Sequence, residues 1–237
     1  MSLILFHSND VHGHIDNLQY LLKKYRDDAS SLWFDSGDAL CGSNTVFRWH
    51  EPILQLMSEL NCAAMAMGNR EFNYQRWVMR RRARQRNFPL LCANLRDLRG
   101  YPAAWRESLT LDTDEGRVVI IGATPVQYPS GSFWEKVFGF RFLDPLDILP
   151  PLARSAGQKG EAVIILSHLG IDVDKMLLPL LPAGTLVLGG HTHTALHEPV
   201  EINGSWIVQG GSWARFLAKL EYDVPARTLR SYELLNR

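Results

Sequence analysis

Residues 3–13 read Leu3-Ile4-Leu5-Phe6-His7-Ser8-Asn9-Asp10-Val11-His12-Gly13. An apolar run gives way to polar residues within a single strand's length. That pattern predicts a strand buried on both faces whose carboxyl end opens onto polar chemistry. The same arrangement returns along the chain. Leu32-Trp33-Phe34 runs into Asp35-Ser36-Gly37-Asp38, and residues 63–67 run into Gly68-Asn69-Arg70-Glu71. Residues 162–166 lead to Ser167-His168, and residues 186–188 to Gly189-Gly190-His191-Thr192-His193. Residues 117–123 and 89–93 also read as strands. Helical spacing lies between these runs, with Leu18, Leu21 and Leu22 in 17–25, Ile53, Leu56, Met57 and Leu60 in 52–60, and a further helix over 75–86. Strands alternating with amphipathic helices predict an α/β fold. Further on, Asn203-Gly204 between 199–202 and 205–208 predicts a type I′ hairpin, and two more β-like runs, 216–222 and 229–234, close the chain. The stretch 128–139, rich in Gly, Ser and aromatics, reads as a loop.

Five strand ends carry groups that bind cations: Asp10 with His12, Asp38, Asn69, His168, and His191 with His193. In open α/β sheets, ligand sites gather beyond the carboxyl ends of strands, so these groups are expected to aim at one place. Each motif alone is equally the mark of a turn or a cap. Their common position at strand ends is what carries the inference. The donor set mixes oxygen and imidazole without thiolate, which suits Mn²⁺, Zn²⁺ or Fe²⁺ better than Ca²⁺ or a cysteine-bound zinc. Seven ligands fill two metal positions if one carboxylate is shared, and Asp38 is the expected bridge.

The chain has 237 residues, 46% of them hydrophobic and 21% charged, which fits one large domain with its own core. Lysines and arginines number 25, as do aspartates and glutamates, so no net charge draws the whole molecule to nucleic acid or an anionic membrane. The cysteines, Cys41, Cys62 and Cys92, form no CxxC pair, and an odd count suits a reducing compartment. The apolar start is too short for a signal peptide, and no stretch approaches a membrane span. A cytoplasmic protein without a membrane partner is expected.

The segments 6–13, 35–38, 68–74 (Gly68-Asn69-Arg70-Glu71-Phe72-Asn73-Tyr74), 166–170 (Leu166-Ser167-His168-Leu169-Gly170) and 190–193 occur in the order of, and resemble, the calcineurin-like metallophosphoesterases. The nearest branch is that of the 5′-nucleotidases and 2′,3′-cyclic-nucleotide phosphodiesterases, and the tail 199–213 is also similar to it. The resemblance implies a four-layer α/β/β/α sandwich with mixed sheets and a dinuclear metal centre. One cation would take Asp10, His12, Asp38 and His193. The other would take Asp38, Asn69, His168 and His191. It implies a hydrolase of a small phosphomonoester or phosphodiester, nucleotide-like or otherwise, whose nucleophile is a hydroxide bridging the two metals. It also implies that the two-domain members' C-terminal nucleotide-specificity domain has no counterpart in residues 1–237, which leaves nucleotide specificity open.

One residue departs from the family pattern. Arg70 stands where the family has His, a group thought to assist the leaving group. Arginine does not give up a proton at neutral pH, but it hydrogen-bonds phosphate-like anions well. Arg70 and Asn69 are therefore the catalytic candidates, the alternative for Arg70 being an ion pair with Glu71 or another neighbour away from the metals. The two competing functions are a metal-retaining binding or regulatory module whose turnover Arg70 has weakened, and a hydrolase of a related sulfur ester. His14, Asn73 and Asn94 are candidates for contact with substrate or for support of the ligands, as are Asn9 and Asp35 beside the motifs. His14 as an ordinary loop residue remains equally open. Segment 70–86 holds seven arginines and one glutamate. It is read as a solvated helix balanced by acid elsewhere rather than as a nucleic-acid surface. His7 and Cys41 are read as buried residues, and Trp33, Trp77, Trp105 and Trp206 as core.

Overall fold

The computed structural model describes residues 2–26 and 30–237. The first half runs β1 (Leu3–Ser8), α1 (Ile15–Tyr25), β2 (Leu32–Asp35), α2 (Pro52–Glu59), β3 (Ala64–Ala66), α3 (Arg76–Ala83), β4 (Leu90–Leu91) and β5 (Leu95–Asp97). The middle holds β6 (Ser108–Thr113), β7 (Gly116–Ala123), α4 (Phe133–Phe138), β8 (Phe140–Phe142), α5 (Pro145–Gln158), β9 (Ala162–Ser167) and α6 (Ile171–Leu177). A short 3₁₀ turn, β10 (Leu186–Leu188), β11 (Val200–Ile202), β12 (Ser205–Val208), β13 (Phe216–Asp223) and β14 (Thr228–Asn236) complete the chain.

Two six-stranded sheets result, ordered β14-β13-β1-β2-β3-β4 and β11-β12-β10-β9-β7-β6. Strands β1 to β4 are parallel, as are β7, β9, β10 and β12, while β13, β14, β11 and β6 join antiparallel. Both sheets are thus mixed, and the small pair β5–β8 lies apart.

Three apolar clusters separate four layers. Leu18, Leu21, Ile53 and Met57 of α1 and α2 pack on Phe6, Trp33 and Met65 of the first sheet. Leu5, Phe34 and Ala66 of that sheet meet Ile120, Ile164, Leu166 and Leu188 of the second. The other face of the second sheet, Ile121, Val163, Ile165 and Val187, packs on Leu149 and Ala153 of α5 and Leu177 of α6. Strand β9 shows the cause. Its residues alternate between two buried faces, so it reads as a continuous apolar run rather than an alternating one. This is the expected α/β/β/α sandwich.

Several elements differ from the sequence reading. The helix over 75–86 is shorter, at 76–83, and the strand over 89–93 shrinks to two residues. The stretch 128–139 contains α4, capped by Ser132 and closed by left-handed Gly139. Helix α5 was not expected. Its interior prolines, Pro150 and Pro151, remove two helix donors, yet Leu149, Ala153 and Ala156 bury a full face against the second sheet, and Asp144 caps the first turn. Asn203 and Gly204 both take positive φ, as the hairpin requires.

Candidate metal centre

The β1/β2 register sets Ser8 level with Asp35, so the loops that follow run side by side. Backbone bonds from Asp10 N to Gly37 O, His12 N to Asp38 O and Gly13 N to Ala39 O, all 2.8–2.9 Å, zip them together. Asp10, His12, Asp38, His191 and His193 all take left-handed φ, between 49° and 76°. That conformation costs a non-glycine residue about 1–2 kcal/mol, and here it turns each side chain off its strand toward a common point.

Two groups of donors meet there. Asp10, His12 and His193 form one, and Asp10, Asp38 and His168 the other, the ligand atoms of each lying within 4.8 Å of one another. The Nε2 atoms of His12 and His193 approach to 3.0 Å. Asp10 Oδ1 stands 3.3 Å from His193 Nε2 and 3.9 Å from His168 Nε2, so Asp10 is common to both groups, whereas Asp38, the expected bridge, belongs to the second. His168 Nε2 is 3.4 Å from Asp38 Oδ1. Asn69 Oδ1 is buried, and the His191 ring lies edge-on to that of His168, with centroids 5.1 Å apart. His191 itself is outside both groups, though its backbone N–H donates to Asp10 Oδ2 at 2.8 Å.

Three buried atoms, Asp10 Oδ1, Asn69 Oδ1 and His168 Nε2, have no hydrogen-bond partner. Buried polar atoms are nearly always paired, and the orphaned Asp10 Oδ1 and His168 Nε2, 3.9 Å apart, fit a cation site. The surroundings agree. Burial alone would lower the His168 pKa, but the Asp38 carboxylate 3.4 Å from its Nε2, then Asp10 and Glu71, outweigh it and raise it to about 9. The pocket therefore stabilises positive charge.

Supporting contacts fix the donors. Asn9 Nδ2 donates to Asp10 Oδ2 and to Gly211 O, both at 2.7 Å, and its Oδ1 accepts from Gly210 N. His168 Nδ1 donates to Ser36 O at 2.7 Å, which leaves Nε2 free to ligate. Ser36 Oγ donates to Leu188 O at 2.6 Å, so its one proton is used and His7 Nε2–H must be the donor in their 2.9 Å contact. His7 is thus a core histidine, held neutral by burial, which pushes its pKa down to about 3. Asp35 accepts from Ser8 Oγ and from Gly37 N.

Glu71 was missed as a site residue. Its buried carboxylate accepts from the backbone N–H groups of Asp38, Leu40 and Gly68 and so clamps the Asp38 and Asn69 loops together. Its place beside Asn69 in one motif was the available signal. Arg70 does not pair with Glu71. Its backbone N–H donates to Asp38 Oδ1 at 2.8 Å, and its Nε lies 3.6 Å from Asp38 Oδ2, so the guanidinium leans over the centre. The other candidates are outside both groups of donors. Asn73 Oδ1 accepts from Gln75 N at the start of α3, and Asn94 is spent on Thr124 and Leu143. His14 is exposed, with its ring 6.2 Å from that of Trp213. Cys41 is half-buried rather than buried, and its Sγ–H donates to His12 O. Trp33 is buried, whereas Trp77 is 47% exposed, contrary to its reading as core.

Known proteins fit this geometry. A profile of the calcineurin-like phosphoesterases matches residues 5–195. The chain is 24% identical over 235 residues to an uncharacterised metallophosphoesterase of Bacillus subtilis, covering 94% of this chain and 50% of that protein. It is 25% identical to a 5′-nucleotidase of Vibrio cholerae, covering 93% of this chain and 48% of the other. The crystal structure of a 5′-nucleotidase precursor from Thermus thermophilus superposes with a TM-score of 0.79 at 24% identity, over all of this chain and 54% of that one. The chain spans about half the length of the curated relatives it matches. The match over most of its length, with the site at the strand ends, makes this chain a member of the calcineurin-like phosphoesterase family.

Proposed function

We propose that this chain is a metal-dependent hydrolase of small phosphoesters that works with two divalent cations, Mn²⁺, Zn²⁺ or Fe²⁺. The observation that carries the reading is the orphaned pair Asp10 Oδ1 and His168 Nε2, with His193 Nε2 3.3 Å from the former and 3.0 Å from His12 Nε2. When bound, two such cations supply Lewis acidity toward the phosphoryl oxygens and lower the pKa of water. Asp10, His12, Asp38 and His193 would hold one, and Asp38, Asn69, His168 and His191 the other, with Asp10 close to both.

The chain's own residues do the rest. Asn9 and His191 N–H hold Asp10, and Glu71 holds the Asp38 and Asn69 loops, so the ligands are placed before substrate arrives. Arg70, one-third exposed and next to Asp38, offers a fixed positive charge to a phosphoryl oxygen. A guanidinium is not a general acid, so Arg70 orients the ester without protonating the leaving group. Good leaving groups are therefore favoured. The free thiols Cys41, Cys62 and Cys92 support a reducing compartment, for which the cytoplasm is proposed. Among the described residues no helix is long and apolar enough to cross a membrane.

The test is turnover of p-nitrophenyl phosphate and bis-p-nitrophenyl phosphate by the Mn²⁺-loaded protein, with Asp38→Ala as the blank. Metal-dependent release of p-nitrophenol that the variant lacks is expected. Full metal occupancy without turnover would return the chain to a binding role.

A further inference from the structure

The arginines of segment 70–86 meet different fates. Arg76 pairs with Asp97 at 2.6 Å, and buried Arg82 joins Glu51 at 3.3 Å while donating to the Arg70 carbonyl at 2.9 Å. Arg86 is spent on the carbonyls of Phe88 and Ala104. Arg80, Arg81 and Arg84 form no ion pair among the described residues, nor does exposed Arg48 on the neighbouring loop. The expected balance by acid thus holds for only part of the run: Glu59 lines the same hollow as Arg84 and Glu51 feels the charge of Arg48, but no carboxylate pairs directly with Arg48, Arg80, Arg81 or Arg84 among the described residues.

Aromatic rings are interleaved with those cations. Phe47 lies 4.9 Å from Trp49 and 4.5 Å from Trp77, centroid to centroid. Trp49 is 65% exposed and Trp77 47%. The rings are held in place: Trp77 Nε1–H donates to Gln75 Oε1 at 2.7 Å, and Arg81 lies 4.4 Å over the Trp49 ring while its Nε donates to Trp49 O. Arg80 stands 5.1 Å over the exposed ring of Tyr101. Exposed indoles fixed in orientation beside unpaired guanidinium groups offer what a single-stranded polynucleotide needs: planes for successive bases and positive charge for the phosphates between them.

We propose that this face binds single-stranded nucleic acid, with bases stacking on Trp49 and Trp77 and phosphates meeting Arg48, Arg80, Arg81 and Arg84. An acidic peptide would use the arginines and leave the indoles idle. An anionic bilayer takes up a broad aliphatic face, and the only exposed aliphatic side chain on this loop is Val46. The binding needs no turnover at the metal centre, although Arg82 couples the two by bonding both the Val46 and Arg70 carbonyls.

The test is fluorescence anisotropy of a fluorescein-labelled oligothymidylate of about 15 nucleotides with the full chain in EDTA. Binding should weaken roughly twenty- to fifty-fold between about 50 and about 200 mM salt, as three to four phosphate contacts require. Trp49→Ala with Trp77→Ala should weaken it about tenfold or more, whereas Trp49→Tyr, which keeps an aromatic face, should retain most of it. Arg81→Gln with Arg84→Gln should flatten the salt dependence. The double tryptophan variant should keep its melting midpoint and its Mn²⁺-dependent turnover of p-nitrophenyl phosphate, so failure of this inference and of the hydrolase reading are told apart. Absence of binding at low salt would overturn the proposal. So would a tryptophan variant that binds like the parent, equal competition by polyglutamate, or preference for anionic vesicles over the oligonucleotide.

Discussion

Position 70 sets one group against another in the same place. An imidazole there could pass a proton to a departing alkoxide, whereas the guanidinium cannot, and its 3.6 Å contact with Asp38 makes it an anion holder. General-acid help is worth about 10²–10⁴-fold, and most of that is felt when the leaving group is poor. Arg70→His is therefore expected to raise turnover of an alkyl phosphate about tenfold or more and to change p-nitrophenyl phosphate little. Equal effects on both substrates would show that the missing acid does not limit the rate. Asp174 offers a second test. It is fully buried, with one oxygen bonded to Ser167 Oγ–H and the other without a partner, and burial pushes its pKa up to about 7. A carboxyl with a raised folded pKa binds its proton more tightly folded than unfolded. Its contribution is therefore complete below its ordinary value of 3.8 and is lost as pH rises toward 7. Asp174→Asn keeps the shape and removes the titration. Melting curves of the two proteins should diverge in favour of the variant between pH ~5 and pH ~8, and a constant gap would mean that Asp174 is already ionised when folded.

Among the elements, the two sheets approach closely where β7 passes β4. A Cβ on Gly122 would sit 2.3 Å from Leu91 O and 2.5 Å from Leu91 Cβ. Overpacking of that kind costs about 1–3 kcal/mol, so Gly122→Ala should lower the melting midpoint by roughly 2–12 °C. An unchanged midpoint would mean that the strands stand further apart. The elements also show what a sequence discloses. Strands β1, β2, β3, β9 and β10 were legible because each is a buried apolar run ending in chemistry-bearing residues, a local signal. The seven candidate ligands were legible for the same reason. Helix α5 was not, because Pro150 and Pro151 argue against a helix and only burial against the second sheet overrides them. Strand β6, with no fully buried residue, is held by pairing with β7, which its own residues do not announce. Glu71 as a clamp, and Asp10 lying close to both donor groups, depend on distances between loops far apart in the chain.

At the scale of the whole molecule, the candidate centre is a joint between the two halves of the sandwich. Asp10, His12, Asp38 and Asn69 follow strands of the first sheet, and His168, His191 and His193 follow strands of the second. Between them Ser36 already bonds across, through Leu188 O and His168 Nδ1. Cations held there would bind only when both sheets are assembled, so their binding free energy adds to folding. At about 100 times the dissociation constant the gain is about 2.7 kcal/mol, which for a chain of this size moves the melting midpoint up by roughly 5–10 °C. Calorimetry with Mn²⁺ against EDTA should show that rise in the parent protein and a much smaller one in Asp38→Ala, which removes a carboxylate contributed by the first sheet. An equal rise in the variant would place the stabilising ion elsewhere on the molecule. No rise in the parent at full occupancy would mean that the two groups of donors do not close on one centre, and that the sheets are held by their apolar interface alone.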